Sequence, residues 1–263
     1  MKTFLYENFN HIKMDSFTNK TIDIKTGDLL LFSGIKHYSV NLQIALCSKY
    51  NHIGIALWIR TNEKYSMLDY ENGQINLNEF IDNDSPSDLF VFESSEGSSY
   101  DLLTQKNKFG CRLVRLKDII KYYDEISVRH INIERGPIFY ERLNKLLEDY
   151  KNVDYDTSPF NLVLAPLGIS VQENNKETFC SELVATYLYR IGLLPIIQEA
   201  KYPARYFLPK DFSEKSEKIP NNTFIGELET FYLYKYDFLT RYGIYIIMFL
   251  LLIFLIFIRL SMH

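Results

Sequence analysis

The chain has 263 residues, 47% hydrophobic and 24% charged, a balance that supports a packed globular body and excludes wholesale disorder or a fibrous repeat. Lys plus Arg number 29 against 33 Asp plus Glu, giving a net charge of -4; no basic bulk is present to neutralise a phosphate backbone, and no nucleic-acid partner is expected. The three cysteines, Cys47, Cys111 and Cys180, are an odd and widely spaced set without zinc-site spacing, so free thiols and no metal site are expected.

Residues 1–25 read as a polar N-terminal extension, with neither the apolar core nor the small-residue cleavage site of a secretory signal. Thr26, Gly27 and Asp28 form a turn, capped by Asp28, that opens LLLF (29–32), a short buried strand. Apolar Val40, Leu42, Ile44, Ala45 and Leu46 give residues 39–49 the spacing of a short helix. HIGIALWI (52–59) is rich in branched residues and predicts a central strand; SMLDY (66–70) and DLFVFE (88–93) predict two more. The polar stretches 72–87 and 94–109 read as loops or insertions. CRLVRL (111–116) and ISVRHINI (126–133) alternate and predict strands.

At Pro137 the period changes. PIFYERLNKLLEDY (137–150), apolar at Ile138, Leu143, Leu146 and Leu147, predicts a helix with proline in its first turn. In FCSELVATYLYRIG (179–192), Leu183, Val184, Tyr187, Leu188 and Ile191 recur at helical spacing, with Thr178 as the start cap and Gly192 as the end cap. Strands come first and helices after, without βαβ alternation, which is an α+β layout. Residues 211–241, beginning with the polar DFSEKSEKIPNNTF, read as a linker and juxtamembrane segment. Residues 242–258 (YGIYIIMFLLLIFLIFI) carry no charge over 17 positions. As a helix they span about 26 Å, close to the ~30 Å hydrocarbon core of a bilayer. Tyrosines at the entry side and the flanking Arg241 and Arg259 complete the pattern of a membrane anchor over 242–260. The expected placement is a single-pass tail anchor in the bilayer, with the body in the cytosol.

Three residues carry candidate chemistry. Cys180 stands near a predicted helix N-terminus, where orphan N–H groups and the helix dipole favour a thiolate and can hold an oxyanion. The alternative is a buried, inert cysteine. His52 opens an otherwise apolar strand and is the candidate base if it meets Cys180 in space; the alternative is a strand-start cap or a satisfied core histidine. Glu93 ends the DLFVFE strand and can orient the imidazole, or be a surface charge. His11, His37, His130 and His263 have no comparable setting.

TGDLLLF, a helix, KYNHIGIAL, LFVFES, CRLVRLKDIIKYY, VDYDTSPF and TFCSELVATYLYRIGL, in that order, resemble the circularly permuted NlpC/P60 papain-like superfamily, in its YaeF/YiiX-like branch with poxvirus and giant-virus relatives. The resemblance covers residues 24–194. It implies a small antiparallel sheet or barrel packed on the Cys-bearing helix, within a catalytic domain over 26–210. It implies Cys180 as nucleophile, His52 as base, Glu93 as orienter and Tyr155 as an oxyanion donor or pocket wall. Stretches 72–87 and 94–109 would roof the cleft, and 161–176 would line an acyl pocket or simply pack. The activity implied is hydrolysis of an amide, or of an ester or thioester, without a cofactor, on an acyl, lipid, lipidated-protein or peptide substrate at a viral or host intracellular membrane. The alternatives are an acyltransferase or phospholipase of the lecithin:retinol acyltransferase-like type, whose NCEHF-type motif FCSEL departs from, and an inactive anchored binding module.

Overall fold

The computed structural model describes residues 22–34, 43, 48–60, 73–75, 87–158, 176–195, 202–213 and 215–232. In chain order the strands are β1 (Ile22–Ile24), β2 (Leu29–Ser33), β3 (His52–Arg60), β4 (Gly73–Ile75), β5 (Ser87–Asp101), β6 (Lys106–Arg115), β7 (Glu125–Ile131), β8 (Asp154–Tyr155), β9 (Glu177–Thr178) and β10 (Phe224–Tyr232). The helices are α1 (Leu116–Ile119), α2 (Pro137–Tyr150), α3 (Cys180–Ile191) and α4 (Pro209–Ser213), with 3-10 turns at Ile120–Tyr122 and Ala204–Tyr206. Six strands form one antiparallel sheet in the order β10-β7-β2-β3-β5-β6, open at β10 and β6. β1 and β4 make a small antiparallel pair, and β8 and β9 a short parallel one.

The sheet is covered on both faces, which is why its central strands read as unbroken apolar runs rather than alternating ones. Leu29, Leu31, Ile53 and Ile55 join a core completed by Leu143 of α2 and Leu183 of α3. Leu30, Phe32, Ala56 and Val91, on the opposite parity, join a second core with Leu116 and Ile119 of α1. The 26–28 turn locks α3 to the sheet: Gly27 sits at φ 95, in the left-handed region. A Cβ on Gly27 would lie 2.5 Å from the Tyr187 hydroxyl and 2.6 Å from Cζ of Phe139. Tyr187 donates to the Gly27 carbonyl at 2.9 Å.

The α+β layout and the helix over 137–150 agree with the sequence reading. Residues 94–109 differ from it. They are the long arms of a β5–β6 hairpin, whose turn is tied by buried Asp101 accepting from the backbone N–H groups of Leu103, Thr104 and Leu113 at 3.2, 3.1 and 2.8 Å. Ser and Gly masked the strand because they carry little β propensity; cross-strand pairing supplies what propensity lacks. The stretch read as a linker from 211 also differs, because Phe224–Tyr232 pairs along β7 as an edge strand. The predicted strand 66–70, Cys47 and most of the predicted 39–49 helix lie outside the described residues; of that helix Gln43 is helical, and Ser48 and Lys49 are not.

One expectation is corrected. The sequence reading joined a papain-like domain to a C-terminal transmembrane helix, giving a tail-anchored protein with a cytosolic body. The fold is an α+β structure with a six-stranded antiparallel sheet, and among the described residues no helix is long and apolar enough to cross a membrane. The span 242–260 lies outside the described residues.

Candidate active site

Cys180 is the first residue of α3. Phe179 stands at the cap position without a side-chain cap, and the Thr178 hydroxyl instead donates to the Phe179 carbonyl at 3.3 Å. The expected Thr178 cap is thus not made; Glu182 stands in the first turn, where its negative charge complements the helix start. The helix start is pinned to the sheet by Ser94, whose hydroxyl donates to the Thr178 carbonyl at 2.8 Å. Ser94 follows Glu93 directly, so one strand segment fixes both the candidate nucleophile's helix and the candidate orienter.

His52 opens β3, and its Nε2 lies 2.7 Å from Oε2 of Glu93. The Cys180 side chain acts on the same imidazole and raises its proton affinity. With Nε2 engaged by the carboxylate, Nδ1 is the nitrogen left to face the thiol. All three residues are buried, Cys180 at 6%, His52 at 7% and Glu93 at 1% exposure, so these contacts act at low dielectric. Tyr123 stacks parallel to the imidazole, with centroids 6.0 Å apart, and Phe32 flanks it at 5.5 Å. These rings fix the imidazole plane.

Burial alone would push the His52 imidazole below its ordinary range. The Glu93 carboxylate, and after it the Cys180 side chain, overcome that burial and raise His52 to about 10. Glu93 moves the other way: burial pushes it up, but His52 first and then Arg112 draw it below the usual carboxylate range. Cys111 is the contrasting thiol, fully buried, with burial pushing it up to about 12.

Tyr155 of β8 is paired in register with Thr178, two residues before Cys180, and its ring lies edge-on to Phe179 with centroids 6.5 Å apart. Asp28 stands elsewhere and is wholly structural, as the sequence reading had it. Its carboxylate is 2.8 Å from His130 Nδ1, and it accepts from Arg135 at 2.7 Å and from the Lys25 and Ile131 backbone N–H groups at 2.9 and 3.2 Å. His130 therefore has a carboxylate setting that the sequence did not reveal, and the Asp28 hydrogen bond raises its proton affinity.

Sequence reasoning also missed Arg112. It lies directly across from Glu93 in the β5–β6 register and is 3% exposed. Its Nε and Nη2 both donate to Glu93 Oε1, at 2.9 and 2.7 Å. A signal was present: Arg112 shares strand parity with buried Val114, and an arginine on a buried parity demands an anion.

Gly54 makes room for the Glu93–His52 contact. A Cβ there would fall 2.4 Å from Val91 Cγ1, 3.1 Å from the Phe92 carbonyl oxygen and 3.4 Å from Glu93 Cβ. Gly54→Ala is therefore expected to cost about 1–3 kcal/mol of stability, read from chemical denaturation midpoints.

No family model matches the chain, and no curated protein matches it. Among solved structures it is similar to the metalloprotein YiiX of Escherichia coli O157:H7, DUF1105, at 15% identity. That match covers 80% of this chain and 97% of YiiX, with a TM-score of 0.40. At that score the likeness assigns neither an activity nor site residues.

Proposed function

We propose that this protein is a cysteine hydrolase acting on an acyl bond, an amide in the first instance and otherwise an ester or thioester, with the permuted NlpC/P60 papain-like arrangement. The observation that carries the reading is the buried Glu93–His52 pair, with Cys180 acting on the same imidazole from the start of a helix. His52 takes the Cys180 proton, and the thiolate attacks the substrate carbonyl to form a C–S bond. The Cys180 backbone N–H belongs to the first turn, which a helix leaves without internal partners, and with Tyr155 it faces the developing oxyanion. Collapse of the intermediate breaks the bond to the leaving group, which takes the His52 proton. Water, giving its proton to His52, then attacks the thioester and releases the acid and the free thiol. Glu93 keeps the imidazole oriented and stabilises its cationic form.

YiiX is titled a metalloprotein. The residues here do not fit that role. Both Glu93 oxygens are taken, by His52 and Arg112, and among the described residues no group of three or more His, Cys, Asp or Glu side chains is placed to hold a metal ion.

The test is acyl-enzyme capture. The full chain is incubated with p-nitrophenyl acetate and short acyl thioesters, and acyl adducts are located by peptide mass. Transient acylation at Cys180, absent in Cys180→Ala and slowed in His52→Ala, is expected. No adduct on Cys180 in the folded protein would sink the reading. Native alkylation at pH 6 is likewise expected to label Cys180 and spare Cys111, whose thiol is held protonated by burial.

A further inference from the structure

We propose that Arg112 is the positioning residue of this site, acting through Glu93 and never touching substrate. The inference rests on the cysteine-hydrolase reading and deepens it. Two guanidinium donors converge on Glu93 Oε1 at 2.9 and 2.7 Å, which leaves Oε2 to face His52 Nε2 at 2.7 Å. The far side of the guanidinium is held as well, with Nη1 donating to the carbonyls of Gly97 and Lys108. Arg112 is thus clamped to both arms of the hairpin, and it in turn clamps the carboxylate.

Its charge matters as much as its geometry. Arg112, Glu93, His52 and Cys180 form one buried set. With Arg112 cationic and Glu93 anionic, the set is neutral when Cys180 and His52 are both uncharged. It stays neutral when the proton has moved from thiol to imidazole. The proton transfer that makes the nucleophile therefore changes no net charge in a low-dielectric site, and an unbalanced buried charge is the costly alternative. Without Arg112 the same residues carry one excess negative charge, and every proton in the set is held more tightly.

Other charged and titratable groups nearby are engaged elsewhere. Glu182 of α3 faces Arg205 at 3.5 Å, and Lys108 of β6 donates to the Lys151 carbonyl. Cys111 lies on the opposite strand parity from Arg112, buried in the core. Tyr123 stacks on His52, and Tyr155 packs against Phe179.

The experiment is the pH dependence of Cys180 alkylation by iodoacetamide in the full chain, compared among wild type, Arg112→Lys and Arg112→Met. Arg112→Met is expected to move the onset of alkylation upward by about one pH unit, a roughly tenfold slower reaction at pH 6. Arg112→Lys keeps the charge and is expected to keep the onset, while losing rate because one ammonium cannot reproduce the two-donor grip. A folded Arg112→Met protein with the wild-type onset overturns the proposal. So does an Arg112→Lys onset shifted as far as that of Arg112→Met. If Arg112→Met does not fold, the wild-type Arg112 Nε resonance decides: it is expected to shift as His52 titrates, and invariance overturns the proposal. A separate failure marks the underlying reading: if wild-type Cys180 alkylates like a free thiol and His52→Ala changes nothing, the relay falls, and the role of Arg112 with it.

Discussion

Glu93→Ala should unfold this protein more readily than any other single change in the site, at a cost of about 3–5 kcal/mol. The loss is not that of one hydrogen bond. Removing the carboxylate leaves the Arg112 guanidinium, 3% exposed, with no counter-charge, and leaves the His52 ring without the acceptor on Nε2. Glu93→Gln keeps an acceptor in the same place and should cost less, though it leaves the arginine charge uncompensated. The pH dependence separates the two parts of the loss. His52 rises from 6.5 to about 10 on folding, so its contribution is complete below about pH 6.5 and is lost as pH climbs through 10. Glu93 is lowered from 4.5, so its contribution is present above that value and is lost on acidification through the lower folded value. Wild-type stability should therefore decline between about pH 6.5 and 10 on the His52 account, whereas Glu93→Gln, lacking the anion that raises His52, should be flatter there. Guanidinium midpoints across that range measure both effects. A Glu93→Ala midpoint equal to wild type would mean that Arg112 finds another anion.

What the sequence revealed, and what it hid, follows from range. The runs at 29–32 and 53–59 announced buried strands because both parities are apolar, and the period at 137–150 announced a helix because one face repeats. His52 and Glu93 were each legible as a polar residue, one opening a predicted strand and the other ending one, although Glu93 lies inside the longer β5. Their contact was not, since it depends on a register that sets Ile55 opposite Phe92 and leaves Gly54 as the gap between them. Arg112 escaped notice because CRLVRL alternates like a half-exposed strand, and only a sheet covered on both faces turns that arginine into a buried cation. The edge strand from Phe224 was hidden for the opposite reason. Its sequence is short of branched residues on any one face, and its place is set by β7, whose free side it covers. Local propensity yields to pairing in such segments.

Among changes that leave the Cys180 thiol in place, His52→Ala should cost the largest share of activity, about 10²- to 10⁴-fold in acyl-enzyme formation, the range that general acid–base groups contribute. The proposed mechanism gives His52 two transfers: it receives the thiol proton before attack and gives it to the leaving group afterwards. Loss of the ring removes both, while the start of α3 and its backbone N–H remain. A substrate with a good leaving group, such as a p-nitrophenyl ester, needs little help in the second transfer. An amide needs it fully. The defect in His52→Ala should therefore be larger for amides than for activated esters, a comparison that a general packing defect would not produce. In wild type the same dependence sets the alkaline limb: activity should fall as pH rises through about 10, where the imidazolium gives up its proton. Steady-state rates on matched amide and ester substrates, measured from pH 6 to 11, test both expectations. Equal losses on the two substrates would remove His52 from the acid step and leave it as a support for the thiol alone.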